Sequence, residues 1–367
     1  MLMHRACKLA RRGEGFVEPN PMVGAVVANS DGMVLGEGWH KRFGSAHAEV
    51  HALAMAGEAA RDATLFVTLE PCCHTGKTPP CTDAIVSAGI RRVVVAATDP
   101  FPAVSGKSIS ILQQAGLQVD VGLLQHEAIR LTAPFRMLTM AKRPWVIAKW
   151  AMTIDGYLAF PHVSTDGFGE SHQYKWISSE VSRAIVHDLR RRVDAIVVGV
   201  QTALADDPLL TARPSGPRPL VRVVLDRQAR LPVSSRLVQT AHEHPVLVAV
   251  GPRAATDQVK QLQDNGCDIW HSSTDQSSQM LIDLAHEFGA RQMTNVLVEG
   301  GAHVLESCFK ADIIDEVWAF LAPKLLDTNK PSLRLREILS NTRVEAIDQT
   351  GGDLFVRGLL RHDLLGR

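Results

Sequence analysis

His47-Ala48-Glu49 and, further along, Pro71-Cys72-Cys73-His74-Thr75-Gly76-Lys77-Thr78-Pro79-Pro80-Cys81 are the stretches that decide how this chain is read. One histidine and two cysteines can hold a zinc ion, because imidazole and thiolate suit zinc better than magnesium or calcium. A catalytic zinc takes three protein ligands and keeps its fourth position for water, whose pKa it lowers to ~7. His47, Cys72 and Cys81 are the candidate ligands, with Cys73 and His74 as local rivals. Cys73 directly follows Cys72, so its side chain is expected to point elsewhere, and it stays the alternative ligand. Glu49 stays outside the ligand set, free to move protons.

Local pattern supports the placement. Val50, Leu53, Ala54 and Gly57 have helical spacing, so His47 and Glu49 stand at a helix start. Leu65 to Glu70 reads as a strand that stops at Pro71. Thr82 to Ala88 reads as a helix ended by Gly89, which puts Cys81 near a helix N-terminus, where the dipole favours thiolate. Two helix starts then meet around one metal.

Composition narrows the class. The chain has 367 residues, 46% of them hydrophobic, enough for two cored domains. Lys+Arg and Asp+Glu are 39 each, so no net field recruits nucleic acid or membrane. No run of about eighteen apolar residues suggests a membrane-spanning helix. Met1 to Arg12 is short, basic and broken by charge rather than carrying an apolar signal core. Six cysteines in so long a chain are no disulfide framework. A cytoplasmic enzyme is the expectation.

Strand signals at Met22 to Ala28, Leu65 to Glu70, Arg92 to Thr98 and Gln118 to Gly122 alternate with helical ones at Val50 to Ala60, Thr82 to Ala88 and Ser108 to Ala115. Such alternation predicts a layered α/β domain over residues 1–142, ending at Ala141-Lys142-Arg143-Pro144. A second apolar series starts at Trp145, with strands at Ala195 to Val200, Leu220 to Asp226, Val246 to Val250, Asn295 to Val298 and Glu316 to Ala322, predicting a second α/β domain over 143–367. In it, Val298-Glu299-Gly300-Gly301 ends a strand just before the helical stretch Ala302 to Phe309. A strand, a glycine pair and a helix start can cradle phosphate on backbone N–H groups, although a Gly-Gly turn is also an ordinary connection.

Taken together, Pro19-Asn20-Pro21-Met22-Val23-Gly24, His47-Ala48-Glu49-Val50, Thr68 to Cys81, Leu204-Ala205-Asp206-Asp207-Pro208 and Val298-Glu299-Gly300-Gly301 resemble the bifunctional riboflavin-biosynthesis deaminase/reductase family. The resemblance implies an N-terminal three-layer domain similar to cytidine deaminase and a C-terminal domain similar to dihydrofolate reductase. It implies zinc-dependent deamination of 2,5-diamino-6-(5-phosphoribosylamino)pyrimidin-4(3H)-one, then NADPH-dependent reduction of the ribosyl group to ribityl. By the same resemblance His47, Cys72 and Cys81 bind zinc and Glu49 is catalytic, while Asn20, His40 and Lys77 contact the pyrimidine substrate. Ala151, Trp176, Thr202, Asp206 and the turn Gly301, Ala302, His303, Val304 and Leu305 fall at NADPH positions. Tyr174, Arg190, Leu210, Arg213 and Glu299 fall at positions of the reductase substrate. Arginine's planar fork suits a phosphorylated sugar. The implied assembly is a homo-oligomer built through the reductase domain.

The sequence also departs from the family pattern. Asp99-Pro100-Phe101-Pro102 stands where Asp-Pro-Asn-Pro is usual, and Tyr174 where a serine is usual. Phe160 to Glu170 is an insertion, and Asp327-Thr328-Asn329 replaces an expected glycine after Leu326. The chain also begins closer to Met3 than members usually do. These departures keep open a deaminase whose second half is impaired in catalysis. A structural zinc or nucleic-acid-binding protein is a further reading, opposed by the free carboxylate of Glu49 and by only 5% aromatic residues.

Overall fold

A computed structural model describes residues 1–75, 79–101, 104–158, 177–325, 338 and 341–360. The chain divides between Arg143 and Pro144 into two compact units. Among the described residues no helix is long and apolar enough to cross a membrane.

The N-terminal unit is built on a five-stranded sheet of order β2-β1-β3-β4-β5. β1 (Gly24–Ala28) is antiparallel to β2 (Val34–Trp39) and β3 (Thr64–Leu69); β3, β4 (Arg92–Ala97) and β5 (Gln118–Val121) run parallel. β1 is buried along its whole length, as a central strand covered on both faces must be. Ala25, Val27, Leu65, Val67, Val93 and Val95 form its core with Ala52, Ile85 and Leu112 from the helices. β2 and α1 (Leu2–Ala10) are additions to the elements expected from sequence. α1 buries Met3, Ala6, Cys7 and Ala10, one face at helical spacing.

α2 (Ala48–Ala56) lies unusually close to β2. A Cβ on Gly36 would stand 2.2 Å from Ala52 O, and one on Gly38 2.5 Å from Ala48 O. Glycine at both positions is what lets the helix sit down on the strand. Its first turn, with His47 and Glu49, is thereby fixed at one edge of the sheet. α3 (Cys81–Ser87), α4 (Lys107–Gln114), α5 (Gln125–Leu131) and α6 (Ala133–Ala141) complete the unit.

The C-terminal unit carries a nine-stranded sheet of order β10-β9-β8-β7-β11-β6-β12-β14-β13. Its strands are β6 (Trp145–Thr153), β7 (Ala195–Gly199), β8 (Val221–Leu225), β9 (Val246–Val250), β10 (Asp268–His271), β11 (Asn295–Val298), β12 (Glu316–Ala322), β13 (Arg343–Thr350) and β14 (Asp353–Leu359). All pairs are parallel except β12 with β14 and β14 with β13. The apolar runs of β7 and β9 are buried throughout, the pattern of parallel strands covered on both faces. α7 (Glu180–Arg190), α8 (Val200–Asp206), α9 (Arg236–Gln239), α10 (Thr256–Asp264), α11 (Ser277–Ala290) and α12 (Ala302–Lys310) pack around it. β7 and β11 are neighbours, and the helices that follow them start at the same end of the sheet. Crevices at the carboxyl ends of parallel strands are where such folds bind ligands.

Candidate active sites

The first site assembles where two helices begin. His47 precedes α2 in extended conformation and Cys81 opens α3. Cys72 follows the end of β3, and both N–H groups at the α3 start point at it, Cys81 N to Cys72 Sγ at 3.3 Å and Thr82 N to Cys72 O at 3.2 Å. His47 Nδ1 lies 3.3 Å from Cys81 Sγ and 3.5 Å from Cys72 Sγ. The three ligand atoms all lie within 4.8 Å of one another. A tetrahedral zinc, with bonds of ~2.0–2.1 Å to nitrogen and ~2.3 Å to sulfur, would hold nitrogen and sulfur ~3.5 Å apart. The donor set and its spacing therefore fit zinc.

Electrostatics points the same way. The hydrogen bond from Cys81 holds the Cys72 thiol down to about 4, aided by His47 and the Cys81 N–H against the upward push of burial. Cys81 is pushed up by that same hydrogen bond and by burial, since two thiolates side by side need a cation. Glu49 is buried, and Oε2 accepts no hydrogen bond from the described residues. Burial drives its carboxyl above the usual range, outweighing the pull of His47. A buried carboxylate oxygen without a partner among the described residues, in the first turn of the helix that His47 precedes, suits a proton carrier.

Asn20 and His40 come to the same place. Asn20 Nδ2 is 3.3 Å from His40 Nε2, while His40 Nδ1 is 3.2 Å from Ala46 O. A proton on Nδ1 donated to that carbonyl leaves Nε2 to accept from Asn20. Burial lowers the His40 pKa, and its ring meets that of His47 edge-on at 5.3 Å between centroids. Lys77 lies outside the described residues. Phe101 is exposed, its ring 6.5 Å from that of His74.

Glu70, which sequence reasoning missed, organises this region. It is buried at the end of β3; Oε1 accepts from Ser108 Oγ at 2.6 Å and Oε2 from the N–H groups of Asp99 and Gly106 at 3.2 and 3.0 Å. The carboxylate thus ties the approach to Cys72 to the Asp99 loop. A charged residue ending an apolar strand just before Pro71-Cys72 was the available signal.

The second site lies in the C-terminal unit. Arg190, the last residue of α7, donates from Nε to Glu299 Oε1 at 2.8 Å and from Nη2 to Oε2 at 3.0 Å. Lys149 Nζ stands 3.5 Å from Oε2. Burial alone would raise the Glu299 pKa, but Lys149 and Arg190 overcome it and hold the carboxylate down at about 2. Lys149 is a second residue that sequence reasoning missed. Its signal was a lone charge inside the buried strand β6, where Ala151 follows on the same face.

The glycine pair expected to cradle phosphate packs against Val304 of its own helix, α12, and approaches Thr202 of α8. A Cβ on Gly300 would meet Val304 Cβ at 2.4 Å, and one on Gly199 would meet the Val304 side chain at 2.7 Å. Gly301 caps α12, with Thr202 Oγ1 3.7 Å from where its Cβ would be. Ala302 and Val304 are half-buried and His303 exposed, while the Leu305 side chain is in the core. Asp206 ends α8 and is exposed. Leu210 is buried in a left-handed conformation, φ 55°. The fully buried Arg222 holds its neighbour, donating to Leu209 O at 3.2 Å. Arg213 lines a groove of about 490 Å³ with Glu180, Arg183, His187 and Asp188 of α7. Tyr174, Trp176, the insertion Phe160 to Glu170 and Asp327-Thr328-Asn329 lie outside the described residues.

Residues 144–356 match the model of the RibD C-terminal domain, and residues 1–97 that of the cytidine and deoxycytidylate deaminase zinc-binding region. The riboflavin biosynthesis protein RibD of Aquifex aeolicus is 38% identical over 360 residues, covering 96% of each chain. This chain belongs to the RibD family. The RibD of Actinobacillus pleuropneumoniae is 39% identical over 88% of this chain and 83% of its own. Among solved structures, Acinetobacter baumannii RibD, form 1, superposes with TM-score 0.81 at 33% identity, covering 98% of this chain and 97% of that one. A diaminohydroxyphosphoribosylaminopyrimidine deaminase/5-amino-6-(5-phosphoribosylamino)uracil reductase from Thermotoga maritima gives 0.79 at 32%, with 98% and 97% covered. The fold class read from the sequence is that of the RibD family, a deaminase domain followed by a reductase domain. As a RibD protein the chain acts in riboflavin biosynthesis through deaminase and reductase activities, with Zn2+ and NADPH as cofactors.

Proposed function

We propose that the N-terminal domain hydrolyses the ring amine of 2,5-diamino-6-(5-phosphoribosylamino)pyrimidin-4(3H)-one, and that the C-terminal domain then reduces the ribosyl group to give 5-amino-6-(5-phosphoribitylamino)uracil. The observation that carries the first step is the unpartnered Oε2 of Glu49 beside His47, Cys72 and Cys81. His47, Cys72 and Cys81 would hold zinc, which supplies Lewis acidity that lowers the pKa of water to ~7. Glu49 takes the proton of the attacking water on Oε2 and delivers it to the departing amine. His40, kept neutral by burial and oriented by Ala46 O, lines the substrate side with Asn20. Lys77 is assigned to the substrate phosphate on the family resemblance.

In the second step NADPH, when bound, would supply the hydride. We assign its pyrophosphate to the first turn of α12 over Gly301, Ala302, His303, Val304 and Leu305, where backbone N–H groups and the helix dipole favour an anion. Ala151, Trp176, Thr202 and Asp206 complete the cofactor positions. Opening the sugar ring by hydride addition requires a proton at the ring oxygen, and we assign that donation to Lys149 Nζ. Glu299, ionised between Lys149 and Arg190, orients the ammonium. Arg190 and Arg213, with Tyr174 and Leu210, hold the phosphorylated sugar.

The assembly is a homo-oligomer through the reductase domain. Supporting it, β13 stands last in the order of the described strands and exposes the apolar side chains of Val344 and Ile347. The cytoplasm is the compartment that keeps zinc-binding thiols reduced, and all six cysteines are free. Ammonia release by wild type and Glu49→Gln tests the first step: equal rates would refute it.

A further inference from the structure

α7 is held at both ends by carboxylates. At its C-terminal end Arg190 forks onto Glu299. At its N-terminal end stands Asp353, buried, at the two-residue Gly351-Gly352 turn joining β13 and β14. Asp353 Oδ2 accepts from Ser179 N at 2.7 Å and from Ser182 Oγ at 2.7 Å. Ser179 Oγ caps the helix, accepting from Ser182 N at 3.2 Å, and donates to Thr350 O at 3.2 Å. The turn is shaped to this seat: Gly351 has φ 57°, and a Cβ there would come 2.7 Å from both Ser179 Oγ and Val181 Cβ. A negative charge at the first N–H groups of a helix is also favoured by the helix dipole.

The hairpin belongs to the same sheet as the reductase residues. β14 pairs with β12, and β12 with β6, the strand of Lys149; Glu299 follows β11, which flanks β6 on its other side. A helix of eleven residues is a rod of ~16 Å. Fixing one end of it sets where the other end falls along its axis. We infer that Asp353 is a positioning residue for the reduction, placing α7 so that Arg190 reaches Glu299 with both nitrogens beside Lys149. The inference rests on the assignment of Arg190, Lys149 and Glu299 to the reductase site.

The test uses the full zinc-loaded chain and its variants Asp353→Ala, Asp353→Asn and Ser182→Ala. Initial rates of NADPH oxidation with the deaminated phosphoribosyl substrate give kcat and KM per folded molecule, the folded fraction coming from circular dichroism. Ammonia release is the internal control. Asp353→Ala lowers kcat/KM about 10- to 100-fold, the scale of an ångström-sized misplacement. Asp353→Asn, whose amide oxygen can still accept both bonds, stays within about threefold of wild type, and Ser182→Ala, losing one bond, falls about 3- to 10-fold. Ammonia release is unchanged in all three. Wild-type kcat and KM in folded Asp353→Ala, or in Ser182→Ala where Asp353→Ala does not fold, would overturn the inference. So would an Asp353→Asn variant as impaired as Asp353→Ala. Failure of the underlying assignment looks different: Glu299→Gln would then leave NADPH oxidation unchanged, and both would fall.

Discussion

Arg190 and Glu299, distant in sequence, meet through two parallel N–H···O bonds of 2.8 and 3.0 Å, with Lys149 3.5 Å from the same carboxylate. Two cations around one buried anion leave an excess positive charge at the mouth of the strands. That suits a phosphorylated substrate.

Glu299→Gln removes the charge and keeps the shape. A charge-assisted bond is worth about 1.5–3 kcal/mol, so reductase kcat/KM falls about 10- to 100-fold. Ammonia release should not change. The same residue makes an acid-stability prediction. Its folded-state pKa, about 2, lies below the unfolded value, so its stabilisation is present above pH ~4.3 and is lost as pH falls towards 2. The contribution is about 3 kcal/mol. Denaturant unfolding of the C-terminal unit, followed from pH 6 to 2, should steepen in that window for wild type and flatten for Glu299→Gln.

Glu49→Gln should bind zinc with wild-type stoichiometry and lose about 10²- to 10⁴-fold in ammonia release. His47→Ala should lose metal and ammonia release together. In both, NADPH oxidation with the deaminated substrate persists, because the altered residues belong to the other unit. Metal analysis alongside the two assays checks all three statements.

Gly300→Ala puts a methyl group 2.4 Å from Val304 Cβ, an atom too near its own backbone to swing aside. The turn must open, so the Kd for NADPH rises about tenfold or more, a loss of about 1.4 kcal/mol in binding. Isothermal titration with NADPH measures this directly.

Glu70→Ala leaves Ser108 Oγ and the Asp99 and Gly106 N–H groups without their acceptor. The buried Ser108 hydroxyl so stranded costs about 1–3 kcal/mol, and the two half-buried N–H groups cost less. Calorimetry should show the N-terminal unit melting several degrees lower and zinc leaving more readily, with the reductase unaffected.

What was legible in the sequence was local. His47-Ala48-Glu49 and Cys81 stand at helix starts because short-range spacing and Pro79-Pro80 dictate it. The buried strands β7, β9 and β11 announce themselves as continuous apolar runs. β2 was hidden because Val34-Leu35-Gly36-Glu37-Gly38-Trp39 places glycines where a strand signal wants side chains. Those glycines serve packing against α2 instead of propensity. β13 was hidden for the opposite reason: it is an exposed edge strand with few apolar residues to mark it. Lys149, Glu70 and Asp353 act through partners distant in the chain, and no periodicity reports such meetings.

The most direct measurement follows one sample of purified chain, zinc-loaded and supplied with the diaminopyrimidine substrate and NADPH. One ammonia released and one NADPH oxidised per substrate consumed is the predicted result. Ammonia release at full stoichiometry with no NADPH oxidation by the folded protein would contradict the claim that a single chain carries out both steps.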